Sequence, residues 1–208
     1  AVETVELVTD DPVAREKLLQ VIAKDVQRLD RLITDISNAS RLEGEMTRIR
    51  TESLDISAFV RDVVRTYEGL EHDRGVTVSF NDRTMNAGLH VQGRDGPLGQ
   101  VLRNLIDNAR SFSPENGAVN VTLEQGREGQ QPIARILVED DGPGVPEDKL
   151  KKIFERFYTD RPAGSAFGNN SGLGLSIVAQ IVASHRGRVT ATNKVDGGAR
   201  FTVELPAK

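Results

Sequence analysis

The strongest constraint on the fold is the stretch from Pro12 to Arg41, which neither glycine nor a further proline interrupts. Asp11 followed by Pro12 is a helix start signal, because a carboxylate suits the N-cap and proline suits the first helical position. Apolar residues then step by four and three, at Ile22, Val26, Leu29, Ile33 and Ile36. This heptad-like seam, loosely continued by Leu18 and Leu32, predicts one long amphipathic helix.

The first eight residues predict the last turns of a preceding helix, since Val2, Val5 and Val8 have helical spacing. Two helices joined by a short turn form a hairpin that is too thin to bury its own seam. Pairing with a second copy into a dimeric four-helix bundle is therefore expected. The alternative is one long helix that packs on its own domain. On the first interpretation, residues 1–45 form a dimerisation hairpin.

Beyond Gly44 the sequence alternates between strand and helix patterns. The predicted strands are 46–50, 76–80, 89–92, 118–125, 132–140, 187–193 and 199–206, and the predicted helices are 56–70, 97–112 and 173–185. Residues 159–171 are small, polar and rich in glycine, which is typical of a mobile loop. Helices interleaved with mostly antiparallel strands predict an α+β fold, a two-layer sandwich over residues 46–208.

Composition excludes several classes of protein. The net charge is -4 and no lysine- or arginine-rich run occurs, so we expect no nucleic-acid partner. The absence of cysteine excludes disulfides, a zinc–thiolate site and a thiol nucleophile. No apolar stretch approaches the roughly 20 residues that span a bilayer, so we expect no direct membrane contact from these residues. Because the chain opens inside a helix pattern without methionine, we interpret it as part of a longer protein.

Two polar segments suggest a nucleotide ligand. Asn104 and Asn108 share one face of the predicted helix, and their amide oxygens suit Mg²⁺, which also binds phosphate oxygens. The alternative is two solvated asparagines. Asp140 ends a strand before a turn that contains Gly142 and Gly144. A carboxylate there can accept a hydrogen bond from an exocyclic amine, and the glycines let the backbone approach a flat ligand. The alternative is an ordinary acidic turn.

Two further segments suggest phosphate contacts. Residues 171–177 (SGLGLSI) open a helix, whose free N–H groups favour a phosphate. They are not a dinucleotide fingerprint, since Ile177 stands where the third glycine belongs, and no P-loop sequence occurs. In 153–158 (IFERFY), Arg156 can bind a phosphate bidentately, and Phe154 and Phe157 can pin one end of a lid. The alternative for this segment is an aromatic core cluster.

The order and spacing of these segments resemble the sensor histidine kinases. NLIDNA, DDGPG, IFERFY, SGLGLS and GGARFTVELP are similar to the N, G1, F, G2 and G3 boxes of that family, and SRLE (40–43) to the end of its dimerisation hairpin. More loosely, the chain is similar to the ChvG/ExoS-type sensor kinases of alphaproteobacteria. The resemblance covers nearly the whole chain and implies a catalytic ATP-binding domain at 46–208 after a partial phosphotransfer hairpin at 1–45.

The resemblance also implies a function. It predicts the kinase region of a two-component phosphorelay, a transferase that uses ATP and Mg²⁺ in the cytoplasmic portion of a sensor anchored in the inner membrane. The implied partners are a second copy of the chain, through residues 1–45, and a response-regulator receiver domain, which docks partly on the hairpin helix 12–43. The γ-phosphoryl group passes in such kinases to an upstream histidine.

Individual roles follow from the resemblance. Asn108 is expected to bind Mg²⁺, Asp140 to accept the adenine amine, and Arg156 to contact the γ-phosphate, which makes Asn108 and Arg156 the catalytic residues. Gly142 and Gly144 form the floor under the base, with residues 158–171 as a lid. The expected nucleotide-binding residues are Asn104, Asn108, Arg110, Ser111, Phe112, Asp140, Gly142, Gly144, Val145, Phe157, Ser171, Gly172, Leu173, Gly174 and Leu175.

The sequence departs from the family pattern at three places. Ser111 replaces the usual lysine, so a basic phosphate contact either is absent or comes from Arg110. Asn169 and Asn170 replace paired glycines in the loop. No histidine is followed by an acidic residue and proline, since the chain has only His72, His90 and His185, the last of which is expected to cap a helix.

From the missing acceptor we expect this chain to bind ATP without autophosphorylation and without phosphatase activity toward a response regulator. One alternative is a degenerate ATP fold that serves only as a docking module. Others are the mismatch-repair, gyrase and chaperone ATPases and the anti-sigma kinases. The hairpin argues against all of these other ATPases, and the IFERFY segment argues against the first three.

Overall fold

The computed structural model describes residues 15–16, 18–23, 26, 51–68, 75–84, 88–158 and 172–208. Residues 15–16, 18–23 and 26 are helical, as the heptad pattern predicts. The rest of the predicted hairpin, the strand predicted at 46–50 and the loop at 159–171 lie outside the described residues. Among the residues that are described, no helix is long and apolar enough to cross a membrane.

From residue 51 onward, the described residues form two sheets and three α-helices. A two-stranded antiparallel sheet pairs β1 (Glu52–Asp55) with β3 (His90–Gly93). The main sheet contains β2 (Thr77–Asp82), β4 (Ala118–Glu128), β5 (Gln131–Asp140), β6 (Arg188–Asn193) and β7 (Ala199–Pro206), in the order β2-β4-β5-β7-β6. The helices are α1 (Ile56–Arg65), α2 (Asp95–Phe112) and α3 (Gly174–Ser184), and short 3₁₀ turns occupy Glu147–Lys149 and Lys152–Phe154.

The helices cover one face of the main sheet, and the core lies between these two layers. Alternate residues of β7 point inward, so that Phe201, Val203 and Leu205 are buried while their neighbours face outward. From α2, Leu105 and Ile106 are fully buried in the same cluster, together with residues of α1 and α3. The predicted two-layer α+β sandwich is therefore confirmed for these residues.

Several element boundaries differ from the prediction. Helix α1 is shorter than predicted and ends at Arg65, and its start is fixed by Asp55, whose Oδ1 accepts hydrogen bonds from the Ser57 and Ala58 amides at 3.0 and 3.1 Å. Helix α2 begins two residues before Pro97, because proline fits the whole first turn. Strand β1 was not predicted at all, since ESLD is short and only Leu54 is apolar.

Strand pairing is antiparallel throughout the main sheet except for β2 and β4, which run parallel from Thr77↔Ala118 to Asp82↔Leu123. A parallel pair requires a crossover connection, which here includes β3 and α2. The crossover places α2 on the sheet so that its last residue, Phe112, lies against the turn that follows β5. The topology thus brings the 104–112 and 140–145 segments together.

Candidate functional site

Asp140, the last residue of β5, is a carboxylate held in the interior with only 2% of its surface exposed. Its Oδ1 accepts hydrogen bonds from the backbone amides of Gly142, at 2.8 Å, and Ala199, at 3.1 Å. No described residue donates a hydrogen bond to Oδ2. Burial raises the pKa of this carboxyl above its usual value, against the lowering effect of the two amides and Lys194. The geometry therefore leaves one carboxylate oxygen for a donor on a ligand.

The turn after Asp140 approaches its neighbours so closely that side chains do not fit. A Cβ on Gly142 would lie 2.8 Å from Asp140 Oδ1 and 2.9 Å from the Phe112 carbonyl oxygen. Gly144 has a φ of +78°, which favours glycine. Val145, which follows it, is partly buried against the core. This turn exposes backbone, with little side-chain bulk, beside the Asp140 carboxylate.

One face of α2 contains the predicted asparagines. Asn104 and Asn108 are one turn apart and half-buried, and Asn104 Nδ2 donates to the Gly174 carbonyl at 3.1 Å. Ser111 lies on the same side, and its hydroxyl donates to the Asn108 carbonyl at 2.7 Å. Phe112, at the C-terminal end of the helix, is 40% exposed. The face therefore extends from the start of α3 to the turn after Asp140.

Arg110 does not join this group. At about 100° per residue, it projects from the side of α2 opposite Asn108. Its guanidinium lies 5.5 Å from the centre of the Tyr67 ring and 3.8 Å from the Asp107 carboxylate. Tyr67 in turn donates a hydrogen bond to Asp107, and burial raises the pKa of that phenol. Arg110 thus contributes to the packing of α2 against the end of α1.

Helix α3 begins at Gly174, after Leu173 as its N-cap residue. No side chain among the described residues caps it, and its first turn contains no acidic residue. The positive end of the helix dipole therefore has no acidic partner within the helix's own first turn, and it suits an anion. Leu173, which precedes the helix, is buried, and its carbonyl accepts a hydrogen bond from the Ser176 hydroxyl at 2.8 Å. These contacts fix the backbone at the start of α3. Gly174 begins the helix beside Asn104, and Leu175 is half-buried.

The two ends of the 159–171 segment are joined at its base. The Phe157 amide donates to the Gly172 carbonyl at 3.1 Å, and both residues have positive φ, +64° and +70°. A Cβ on Gly172 would lie 2.9 Å from the Phe157 carbonyl carbon. Phe157 is 64% exposed. Ser171 and the lid predicted over this segment lie outside the residues that the structure describes.

The remaining residues of the IFERFY segment divide between core and surface. Phe154 packs edge-on against Phe201, with ring centroids 6.3 Å apart, so this ring belongs to the aromatic core that was the alternative interpretation. Arg156 is exposed and follows the second 3₁₀ turn. It lies one residue before the Phe157–Gly172 contact, and so at the base of the loop.

Comparison with known proteins gives the family. A family model described as "Histidine kinase-, DNA gyrase B-, and HSP90-like ATPase" matches residues 93–208, more than half of the chain. The chain belongs to this ATPase family. Its sequence is 43% identical over 204 residues to the sensor protein ChvG of Agrobacterium fabrum, and 44% identical over 217 residues to ChvG of Rhizobium meliloti. The predicted resemblance to sensor histidine kinases of the ChvG type is therefore confirmed.

These alignments cover 93% and 100% of this chain but 34% and 37% of the two relatives. The chain thus spans about a third of the length of the curated relatives it matches.

Solved structures, two of them named as histidine kinases, have the same fold. The mycobacterial kinase MprB is 27% identical with a TM-score of 0.62, and the match covers 76% of this chain and 98% of that one. The kinase ThkA, in complex with the response regulator TrrA, is 27% identical with a TM-score of 0.72 over 99% of this chain and 55% of that one. Full-length ShkA, in complex with AMPPNP, is 26% identical with a TM-score of 0.72 over 93% and 39%.

Two residues beside the candidate site were not predicted from the sequence, namely Asn193, which ends β6, and Lys194, which follows it. Asn193 forms two hydrogen bonds with the Val145 backbone, and Lys194 contacts both Asp140 and Asp141. The only local signal is the Asp-Gly-Gly turn that follows them, which predicts a tight hairpin but not what the hairpin touches.

Proposed function

We propose that this chain binds Mg-ATP and is the kinase region of a two-component sensor histidine kinase, whose γ-phosphoryl group passes to a histidine and then to a response-regulator aspartate. The observation that carries the proposal is the Asp140 carboxylate. Its Oδ1 is filled by two backbone amides, its Oδ2 has no described donor, and a glycine turn lies beside it. Adenine matches this combination, because its exocyclic amine can donate to Oδ2 and its planar ring can lie against the glycine turn.

The proposed pose follows from the surrounding residues. Asp140 accepts the adenine amine, Gly142 and Gly144 give the base room, and Val145 and Phe112 pack against it. The phosphates extend along α2 toward the N-terminus of α3, where Gly172, Leu173 and Gly174 present backbone N–H groups. The ribose and phosphates therefore cross the α2 face that contains Asn104 and Ser111. In ShkA, a similar structure, AMPPNP is bound.

Magnesium fits the same face. Among the described residues, no three histidine, aspartate or glutamate side chains converge as a metal cage. A divalent ion held by phosphate oxygens, water and one protein oxygen needs no such cage, and the Asn108 amide supplies that oxygen. Asn108 would hold the ion, which would supply charge neutralisation on the phosphates, and Arg156 at the loop base would approach the γ-phosphate. The basic contact proposed for Arg110 is disfavoured by its position against Tyr67 and Asp107.

The wider assignment is also proposed. Residues 1–45 form the end of a dimerisation hairpin, residues 46–208 the catalytic domain, and the parent protein is a membrane-anchored sensor with this region on its cytoplasmic side. The expected partner is a response-regulator receiver domain, and the similar kinase ThkA was solved in complex with the response regulator TrrA.

Calorimetric titration with Mg-ATP tests the nucleotide site. The wild-type chain is expected to bind, and Asp140→Asn to lose about tenfold or more in affinity, because the loss of a hydrogen bond to a charged group costs roughly 1.5–3 kcal/mol. Glu139→Gln is the matched control, since Glu139 pairs with Arg200 on the outer face of the same strand. If the wild-type chain does not bind, the docking-module alternative replaces this proposal.

A second measurement tests phosphoryl transfer. Incubated with γ-labelled Mg-ATP, the 208-residue chain is expected to remain unlabelled, while a full-length ChvG protein labels under the same conditions. The reason lies in its histidines: His185 is buried in a helix cap, His90 Nδ1 contacts the Gly88 carbonyl at 2.7 Å, and neither precedes an acidic residue and proline. Stable labelling of the chain alone would contradict the proposal.

A further inference from the structure

The turn that joins β6 to β7 lies directly against the Asp140–Val145 segment. Asn193 Oδ1 accepts a hydrogen bond from the Val145 amide at 2.8 Å, and Asn193 Nδ2 donates to the Val145 carbonyl at 2.7 Å. A side-chain amide that bonds both groups of one residue fixes that residue as a neighbouring strand would. The same Oδ1 would lie 2.7 Å from a Cβ on Gly144, so this side chain also defines the space around the glycine turn.

Lys194 makes the second contact. Its Nζ donates to the Asp140 carbonyl at 2.8 Å and to the Asp141 carboxylate at 3.1 Å, and the side chain is only 19% exposed. The ammonium group therefore joins the last residue of β5 to the first residue of the turn. Lys194 and Asp141 are also the charged groups that act on the Asp140 carboxyl. This lysine sets both the position and the electrostatic environment of Asp140.

The backbone of the turn makes the third contact. Gly198, with a φ of +87°, approaches the Asp140 carbonyl so closely that a Cβ would overlap its oxygen. The next amide, of Ala199, donates to Asp140 Oδ1. The turn itself is closed by the Lys194 amide, which donates to the Gly198 carbonyl at 2.9 Å. One turn thus contacts the side chain and the main chain of Asp140.

We propose that Asn193 and Lys194 are positioning residues for the nucleotide base. They act through Asp140 and Val145: Lys194 and the Ala199 amide hold the carboxylate so that Oδ2 faces the ligand, and Asn193 holds Val145 at the distance at which it packs on the base. This inference rests on the proposed function, because it assumes that an adenine nucleotide occupies the site. It assigns the β6–β7 turn a role in base selection.

A purely structural role for the two residues has different consequences. Loss of an anchor would weaken every ligand of the site alike. Loss of positioning by Lys194 weakens the contact to the exocyclic amine most, and loss of positioning by Asn193 weakens only the contacts of the base. The two roles therefore separate when Mg-ATP is compared with Mg-purine riboside triphosphate, which lacks that amine.

The test is calorimetric titration of both nucleotides into the 208-residue chain and its variants. Lys194→Met is expected to weaken Mg-ATP binding about tenfold and the amine-free nucleotide clearly less, since only the amine contact depends on Oδ2. Asn193→Asp acts through the packing of Val145 on the base, so it is expected to weaken the binding of both nucleotides and to leave the binding of Mg-triphosphate, which has no base, unchanged. Asn193→Asp retains the size of the side chain but loses the donor to the Val145 carbonyl. Lys194→Arg, which retains the cation, is expected to restore most of the affinity. Thr192→Ala, on the exposed side of β6, is the matched control.

The pH profile gives an independent readout. Loss of the Lys194 cation raises the pKa of the Asp140 carboxyl further, so Mg-ATP binding by Lys194→Met should weaken at a higher pH than in the wild-type chain as the solution is acidified. Equal losses of affinity for both nucleotides in Lys194→Met, or an unchanged acid limb together with unchanged Mg-ATP affinity, would overturn the positioning role of Lys194. An equal loss of Mg-triphosphate binding in Asn193→Asp would overturn the positioning role of Asn193. If the wild-type chain itself binds neither nucleotide, the proposed function fails, and the inference fails with it.

Discussion

Gly197 and Gly198 show how much single residues matter in this site. Both have positive φ, +94° and +87°, but a Cβ on Gly197 would meet no atom within 4 Å, whereas a Cβ on Gly198 would overlap the Asp140 carbonyl oxygen. Gly197→Ala should therefore cost about 1–2 kcal/mol of unfolding free energy from backbone strain alone. Gly198→Ala should cost about 3 kcal/mol or more, because overpacking adds to the strain.

Urea unfolding of the two variants checks this prediction, and Gly197→Ala serves as the control for strain. The same pair should differ in function, since only Gly198→Ala displaces Asp140. Equal losses of stability would mean that the turn can move away from β5 without cost, which would also weaken the positioning role of Lys194.

The residues that sequence alone identified, and those it missed, differ in the range of their contacts. Asp140 and the glycines after it were predicted because the strand, the carboxylate and the turn follow one another directly in the sequence. Asn193 and Lys194 were missed because their partners lie 48 and 54 positions away. Arg110 was considered only because it adjoins Ser111, yet neighbours on a helix point about 100° apart, so Ser111 faces Asn104 while Arg110 faces Tyr67.

At the scale of elements, His185 joins α3 to the start of α2. It is the C-cap of α3, as predicted; its Nδ1 donates to the Ile181 carbonyl at 2.8 Å, and its Nε2 accepts from the Arg94 amide at 3.3 Å. This arrangement requires the neutral ring, because a protonated Nε2 cannot accept. Burial accordingly lowers the pKa of His185 below its usual value of 6.5.

Stability should therefore depend on pH through this histidine. The unfolded chain binds the proton more readily than the folded chain does, so the contribution of His185 is complete above about pH 6.5 and is lost as the pH falls toward the lower folded pKa. Urea unfolding between pH 5 and 8 should show this slope in the wild-type chain. His185→Gln should reduce the slope and cost about 1 kcal/mol at pH 8.

His90→Gln provides the comparison, since it removes a histidine of β3 whose ring bonds to the nearby Gly88 carbonyl. If His185→Gln and the wild-type chain have the same slope, the ring is not the group that titrates.

Elements were predicted best where their patterns are long and one-sided. The prediction for β7 has the observed bounds, because ARFTVELP alternates strictly between buried and outward residues. Strand β1 was missed because four residues with one apolar side chain have no readable period. The parallel pairing of β2 with β4 could likewise not be predicted from the sequence, since the residue pattern of a strand does not indicate the direction of the strand beside it.

At the scale of the whole molecule, the described helical residues before the ATPase fold include exposed apolar side chains. Leu19 is 51% exposed and Val26 is 58% exposed, and the two are one heptad apart. Such a seam is stable when a second helix covers it, as in a dimeric bundle. The apolar exposure supports the proposed dimer through residues 1–45 over the alternative of a helix packed on its own domain.

Sedimentation equilibrium tests this dimer. The wild-type chain should self-associate in the micromolar range or more tightly, and the double variant Leu19→Asp/Val26→Asp should be monomeric, because two charges per chain would then be buried in the seam without partners. The control is Val195→Asp, which changes a fully exposed apolar residue in the β6–β7 turn and should leave the association unchanged.

The double variant also shows whether nucleotide binding depends on dimerisation through the hairpin. Mg-ATP binding by the monomeric double variant should equal that of the wild-type chain, since every residue proposed to contact the nucleotide lies between Asn104 and Leu175. A wild-type chain that sediments as a monomer would show that residues 1–45 do not suffice for pairing. A double variant that remains dimeric would place the interface elsewhere, and loss of nucleotide binding with loss of the dimer would mean that a second copy contributes to the site.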